Sequence, residues 1–145
     1  MSIQKSFTIL VLLLAFVVTL PAVRADESNQ ATKVTFSQPI QIPGRVLPAG
    51  TYWFVLPDDI TEHYQVRIFN ADHTTLYATV DTIDVQRRET ADHTTFTFAV
   101  RGSQQPQALV SWFYPDATRG HEFVYPKQVQ NELAKDKLAT VLAGD

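Results

Sequence analysis

LVSWFYPDATRGHEFVYPK, residues 109 to 127, carries five aromatic side chains: Trp112, Phe113, Tyr114, Phe123 and Tyr125. Two apolar runs flank Pro115–Gly120, a polar segment holding the turn formers Pro, Asp and Gly. Such a pattern predicts two strands joined by a tight connection. Aromatic rings bury the most area per residue, so this hairpin should supply much of the core.

Upstream, the same period recurs. Val34 and Phe36 alternate with polar neighbours, and Ile40 and Ile42 continue the row on the far side of Pro39, which restricts that strand to an edge or a break. Pro43-Gly44 and Pro48-Ala49-Gly50 are turn signals. Thr51–Leu56, TYWFVL, is apolar on both faces. This suits a strand covered on both sides or one with an exposed aromatic face. Asp58–His63 predicts an acidic, exposed loop. Inward rows follow at Tyr64, Val66 and Ile68, at Leu76, Ala78 and Val80, and at Phe96, Phe98 and Val100. ADHTT occurs twice, at Ala71–Thr75 and Ala91–Thr95. Turn chemistry accounts for both copies, with Asp bonding the turn backbone and threonines starting a strand. A pair of His-bearing loops acting together is the sharper alternative. Lys127–Ala143 lacks Pro and Gly and is rich in helix formers, which predicts a short helix near Gln128–Leu138.

The N-terminal end is of a different kind. Phe7–Leu20 is apolar apart from threonines, Pro21 ends the run, and Val23 and Ala25 occupy the −3 and −1 places of a secretory cleavage site. Cleavage between Ala25 and Asp26 is expected, with residues 1–25 as signal peptide, 26–33 as a disordered leader and 34–145 as one domain. The run is shorter than the about 20 residues of a spanning helix, so no stable membrane span is expected after cleavage. Loss of Lys5 and Arg24 leaves ten basic against fifteen acidic residues, a net charge of −5. Without a basic cluster, nucleic acid is not an expected partner. The chain has no cysteine, which excludes disulfides, thiolate metal sites and cysteine nucleophiles.

Catalytic signatures are missing. No Gly-x-Ser-x-Gly elbow surrounds Ser37, Ser103 or Ser111, and there is no Walker loop, GxGxxG or HExxH, so no cofactor is expected. His63, His73, His93 and His121 lack the spacing of a metal site. His121 should share a strand face with Phe123 and Tyr125, while Glu122 faces the other way. Aromatic side chains are the remaining hint. Neighbours along a strand alternate faces, so the aromatics of Tyr52–Phe54 and Trp112–Tyr114 cannot all point into one core. One row must face solvent or lie under the C-terminal helix. Trp53, Trp112 and Tyr114 form the candidate binding surface.

Three blocks, IPGRVLPAGTYWFVL, VRIFNADHTTLYAT and ALVSWFYP followed by GHEFVYPK, resemble a family of small uncharacterised secreted β-proteins from soil bacteria of the acidobacterial kind. Its distinctive blocks are PAGTY at Pro48–Tyr52 and GHEFVYPK at Gly120–Lys127, and the likeness spans about Phe36 to Leu142. The resemblance implies an exported bacterial β-protein and no catalytic residues.

The expected fold is all-β, an antiparallel sandwich of about seven strands with a short C-terminal α-helix. The expected function is a secreted or periplasmic, non-enzymatic module that binds a protein or cell-surface partner. A barrel or cleft holding a small apolar ligand is the alternative, and a metal-dependent enzyme using His121 and Glu122 is the third reading.

Overall fold

The computed structural model describes residues 19–28, 31–57, 64–102 and 104–144. The described residues form an all-β fold with one short helix. In order the elements are β1 Val23–Ser28, β2 Ala31–Phe36, β3 Ile40–Ile42, β4 Arg45–Leu47, β5 Gly50–Val55, β6 Gln65–Asn70, β7 Leu76–Gln86, β8 Thr95–Val100, β9 Gln107–Phe113, β10 Arg119–Phe123, α1 Lys127–Leu133 and β11 Lys137–Leu142. Most of the hydrophobic run at Phe7–Leu20 and the acidic loop Asp58–His63 lie outside the described residues.

Two layers are made from one continuous sheet. The first runs β1-β2-β5-β6-β7 and the second joins β7 to β10, β9, β8 and β11, with the β3–β4 hairpin beside β9. β7 belongs to both. Its first half, Leu76–Asp81, pairs with β6 and its second half, Thr82–Gln86, with β10. An eleven-residue strand is long enough to serve one layer and then the other. The opposite side is closed by a parallel bridge between Arg24 and Gly144. Besides that bridge, β3–β9 is parallel, and the other strand pairs are antiparallel. Ile40 and Ile42 are fully buried as expected, but on the second layer. The chain leaves β2 at Ser37, changes layer through Pro39, and turns at Gly44, whose φ of 84° needs glycine.

Aromatic rings hold the layers together. Phe54 of β5 meets Phe96 of β8 at 6.1 Å, Trp112 of β9 at 5.6 Å and Phe123 of β10 at 6.4 Å, each edge to face. Phe36 of β2 meets Phe96 at 5.8 Å and Phe98 at 6.4 Å. Such pairs contribute about 0.5–1.5 kcal/mol each beyond the area they bury. The indole N–H of Trp112 and the hydroxyl of Thr32 are buried without a hydrogen-bond partner. Each such orphan costs about 1–3 kcal/mol, which the surrounding apolar burial offsets.

Of the four strands beyond the expected seven, one arises because the first row divides at Pro39, and three come from segments whose local composition pointed elsewhere. Asp26–Lys33 is not a disordered leader: Asp26 pairs with Lys33, Glu27 with Thr32 and Ser28 with Ala31 across β1 and β2. Its polarity is outweighed by ladder hydrogen bonds and by Thr32, which is buried. Arg45–Leu47 pairs with β3 as a hairpin. The helix ends at Leu133, not Leu138, and Lys137–Leu142 pairs along β8. Ala139 and Val141 are half-buried there and Leu138, Thr140 and Leu142 exposed, a period of two that good helix formers had masked. Leu76 is 49 % exposed instead of inward. A bulge between Ile68 and Phe69 makes Tyr77 an extra residue, and the face beyond it flips.

Tyr125 ties the end of the hairpin to the sheet. Its hydroxyl donates to the carbonyls of Leu109 at 2.6 Å and Gln41 at 3.1 Å, one proton shared between two acceptors. Burial raises its pKa well above the ordinary 10.0, with Arg101 pulling the other way. A pKa raised on folding means that the contribution is complete below the unfolded value and is lost as pH climbs past it. Tyr125→Phe should therefore cost about 1–3 kcal/mol at pH 7. It should also flatten the fall of stability above pH 10, as measured by urea titration at pH 7 and pH 11. For the core, Phe96→Ala and Phe98→Ala should each cost about 3–5 kcal/mol. Thr97→Ala should stay below about 1 kcal/mol. Thr95 is buried and its hydroxyl accepts from Arg87 Nη1 at 3.0 Å, so Thr95→Ala should fall between, at about 1–3 kcal/mol. Equal losses at all four positions would contradict these faces.

Candidate functional site

The three aromatic residues expected on one surface are divided by the fold. Trp112 is fully buried. Its ring lies 5.0 Å from Tyr114 and 5.6 Å from His121, between the layers, and Tyr114 is half-buried beside it. Trp112 and Tyr114 are therefore packing residues and not surface ones. Phe113 points the other way and is covered by Arg87. The guanidinium sits 4.5 Å above the ring and donates to the carbonyls of Ala117 at 2.8 Å and Tyr114 at 3.1 Å. Burial lowers the pKa of Arg87, and Asp116 opposes that shift.

Part of the outer face of the second layer is covered elsewhere as well, while Ile83, Leu138 and Leu142 on it are exposed. Ala99, Ala108 and Ser111 are buried on the side where α1 lies. Arg101 holds that segment down, bonding Gln41 at 2.6 Å and Glu132 at 3.4 Å with Asp136 at 3.9 Å. The expected pairing of Glu132 with Lys135 gives way to this cross-element contact.

The first layer is different. On its outer face Lys33, Thr35, Thr51, Trp53, Val55, Arg67, Phe69 and Thr79 are all half-buried or exposed, and none is buried. Lys33 pairs with Trp53, and Trp53 with Phe69, so these three form a row across β2, β5 and β6. The turn after β6 props that row. Asn70 Oδ1 accepts from the backbone N–H of Thr74 at 2.8 Å and of Thr75 at 3.0 Å. His73 adopts a φ of 61°, the left-handed region that histidine enters more readily than most residues. Its ring folds back to 4.5 Å from Phe69 and 5.6 Å from Trp53. The indole N–H of Trp53 donates to Ala71 O at 3.0 Å, which fixes the ring. Lys33 Nζ stands 6.0 Å from its centroid. The result is an oriented aromatic row with a cation at its edge. Sequence reading found Trp53 and missed Lys33, Phe69 and His73, because cross-strand register brings them together.

The two ADHTT copies serve different ends of the molecule. One precedes β7 and one follows it, about 30 Å apart at the usual rise per residue. The second copy carries a 2.7 Å bond between His93 Nδ1 and Asp92 Oδ1. That bond and the histidine charge hold the Asp92 carboxyl below its ordinary range. The two loops cannot grip one ligand together. His121 is half-buried against Trp112 with Thr82 Oγ1 3.5 Å from Nδ1, whereas Glu122 lines a cavity on the outer side of the layer. The pair diverges as adjacent strand residues do, and among the described residues no three His, Asp or Glu side chains converge as metal ligands.

Two cavities flank the covered layer. One of about 210 Å³ lies between α1 and the sheet, lined by Val110, Glu122, Phe123, Tyr125 and Leu133 among others. The other, about 300 Å³, is bordered by Arg87, Thr95, Phe113 and Thr140. Rings fill the space between the layers. No family model, curated protein or solved structure matches the chain.

Gly120 explains the glycine of the GHEFVYPK block. A Cβ there would stand 2.6 Å from Phe113 Cδ1 and 2.6 Å from the carbonyl oxygen of Trp112. Since backbone cannot yield as a side-chain tip does, Gly120→Ala should destabilise by about 1–3 kcal/mol, readable as a lower denaturation midpoint. A neutral result would show that β10 can shift away from β9.

Proposed function

We propose that the protein is an exported, non-enzymatic β-sandwich module that binds a protein or cell-envelope partner through the outer face of its first layer. One observation carries this reading: Trp53 is fixed by Ala71 and propped by His73 on a face where no described residue is buried, whereas Phe113, Ala99, Ala108 and Ser111 are buried on the outer face of the second layer. A ring whose only donor is already engaged offers its π-surface and edge. Aromatic groups of that kind anchor partner surfaces at little cost in conformational entropy. Lys33 adds a cation at the rim, which favours a partner presenting an anionic group beside an apolar ring or flat aliphatic surface. The secretory leader and the resemblance to small secreted acidobacterial proteins support export as the setting.

Co-sedimentation of the exported protein with purified bacterial envelope fragments tests this reading. Trp53→Ala should weaken retention by about 5–30-fold, as hot-spot truncations do, and Lys33→Ala should weaken it less and mainly at low salt. Thr79→Ala, on the same face, should leave it unchanged. Retention unaffected by Trp53→Ala would exclude this face.

A further inference from the structure

The leader boundary falls inside a strand. Val23, Arg24 and Ala25 pair with Phe36, Thr35 and Val34 of β2. On their other edge, Gly144 N–H donates to Val23 O at 2.8 Å, and Ala25 N–H donates to Gly144 O at 3.3 Å. Ala22 adds two bonds to Ser37, its N–H to Oγ at 2.8 Å and its carbonyl from the Ser37 N–H at 3.0 Å. Val23 is 4 % exposed and belongs to the same core as Phe36 and Ala143. Residues 22–25 therefore occupy a slot with the β2 ladder on one side, the two-bond bridge to Gly144 on the other and an apolar well at its floor. They are also what closes the sheet.

We propose that cleavage after Ala25 opens this slot, and that the mature protein uses it to bind an extended peptide segment of a partner, with a small apolar residue facing in and a basic residue facing out. This rests on the reading that the leader is cut between Ala25 and Asp26. Cutting there leaves Asp26–Ser28 paired with β2 and empties the rest of the lane. The backbone groups of Thr35 and Ser37 and those of Gly144 that residues 22–25 engaged are then left facing one another across a strand-wide gap. An ordinary sheet edge offers one ladder, whereas this gap adds the two bonds of Gly144 to it. Strand addition draws its affinity from those main-chain bonds and its specificity from the side-chain well. The inward place held by Val23 selects a small β-branched residue. The outward place held by Arg24 is exposed, and a mature chain of net charge −5 favours a cation there.

The exported protein, purified from a host envelope, provides the test. Mass spectrometry first reads its N-terminus, and a fluorescently labelled synthetic peptide LPAVRA, matching Leu20–Ala25, is then titrated. With Asp26 as the first residue, saturable binding and a raised Tm are expected. A peptide carrying the Val23→Asp change should bind at least about tenfold more weakly, because a carboxylate cannot enter the apolar well unpaired. An N-terminus at Asp26 with no binding, or equal binding of both peptides, would overturn the slot while leaving the processing intact. A mature dimer that the peptide does not dissociate would overturn it in favour of a second copy as occupant. An N-terminus that retains Ala22–Ala25 would instead overturn the processing on which the proposal rests.

Discussion

Phe54 is the contact on which both layers depend. It is fully buried and touches Phe36 within its own layer and Phe96, Trp112 and Phe123 across the gap, at 5.6 to 6.4 Å. Edge-to-face geometry fixes the relative position of strands that are far apart in the chain, because each ring must present its rim to the face of another. The layer spacing, the inward rows of β2, β5, β8, β9 and β10, and the depth at which Trp112 sits all follow from that cluster. It also fills the interior, which gives the molecule the mechanics of a packed sandwich even though its sheet is continuous.

With the interior filled, the two outer faces carry what differences there are. The second layer holds Phe113, Ala99, Ala108 and Ser111 on its outer side, and the chain covers them with Arg87, α1 and the Arg101 contacts. The first layer holds residues that tolerate water at one end, such as Trp53, Lys33, Arg67 and the threonines, and leaves them in view. β7 is the seam between these regimes. Its Leu76–Asp81 half edges the open layer and its Thr82–Gln86 half the covered one. The turn at Asn70–Thr75 then becomes more than a connection. By placing His73 in a left-handed conformation it turns a loop histidine into part of the aromatic row.

Closure is the second constraint. A sheet edge with free N–H and C=O groups is an adhesive surface, and proteins cover or pair such edges. Here Val23–Ala25 and Gly144 meet in one bridge that ties the edge of the first layer to the end of the second. That bridge is built from Val23–Ala25, so the closure of the edge depends on this N-terminal segment.

By itself the sequence determined the fold class and much of the core. The alternation of Val66 with Ile68, of Phe96 with Phe98, and the inward placing of His121 with Phe123 and Tyr125 are local, since side chains in a strand change face at every residue. The same rule showed that Trp53 and its neighbours could not all be buried. Tertiary structure decided which aromatics emerge. Trp112 and Phe113 look alike along the chain, yet one enters the ring cluster and the other lies under Arg87. Bulges at Tyr77 and at Val110 shift the faces by one residue, and no composition signals them. Asp26–Lys33 and Lys137–Leu142 were misjudged for one shared reason. Intrinsic propensity describes a segment on its own, and each of these segments is held as a strand by ladder partners far along the chain.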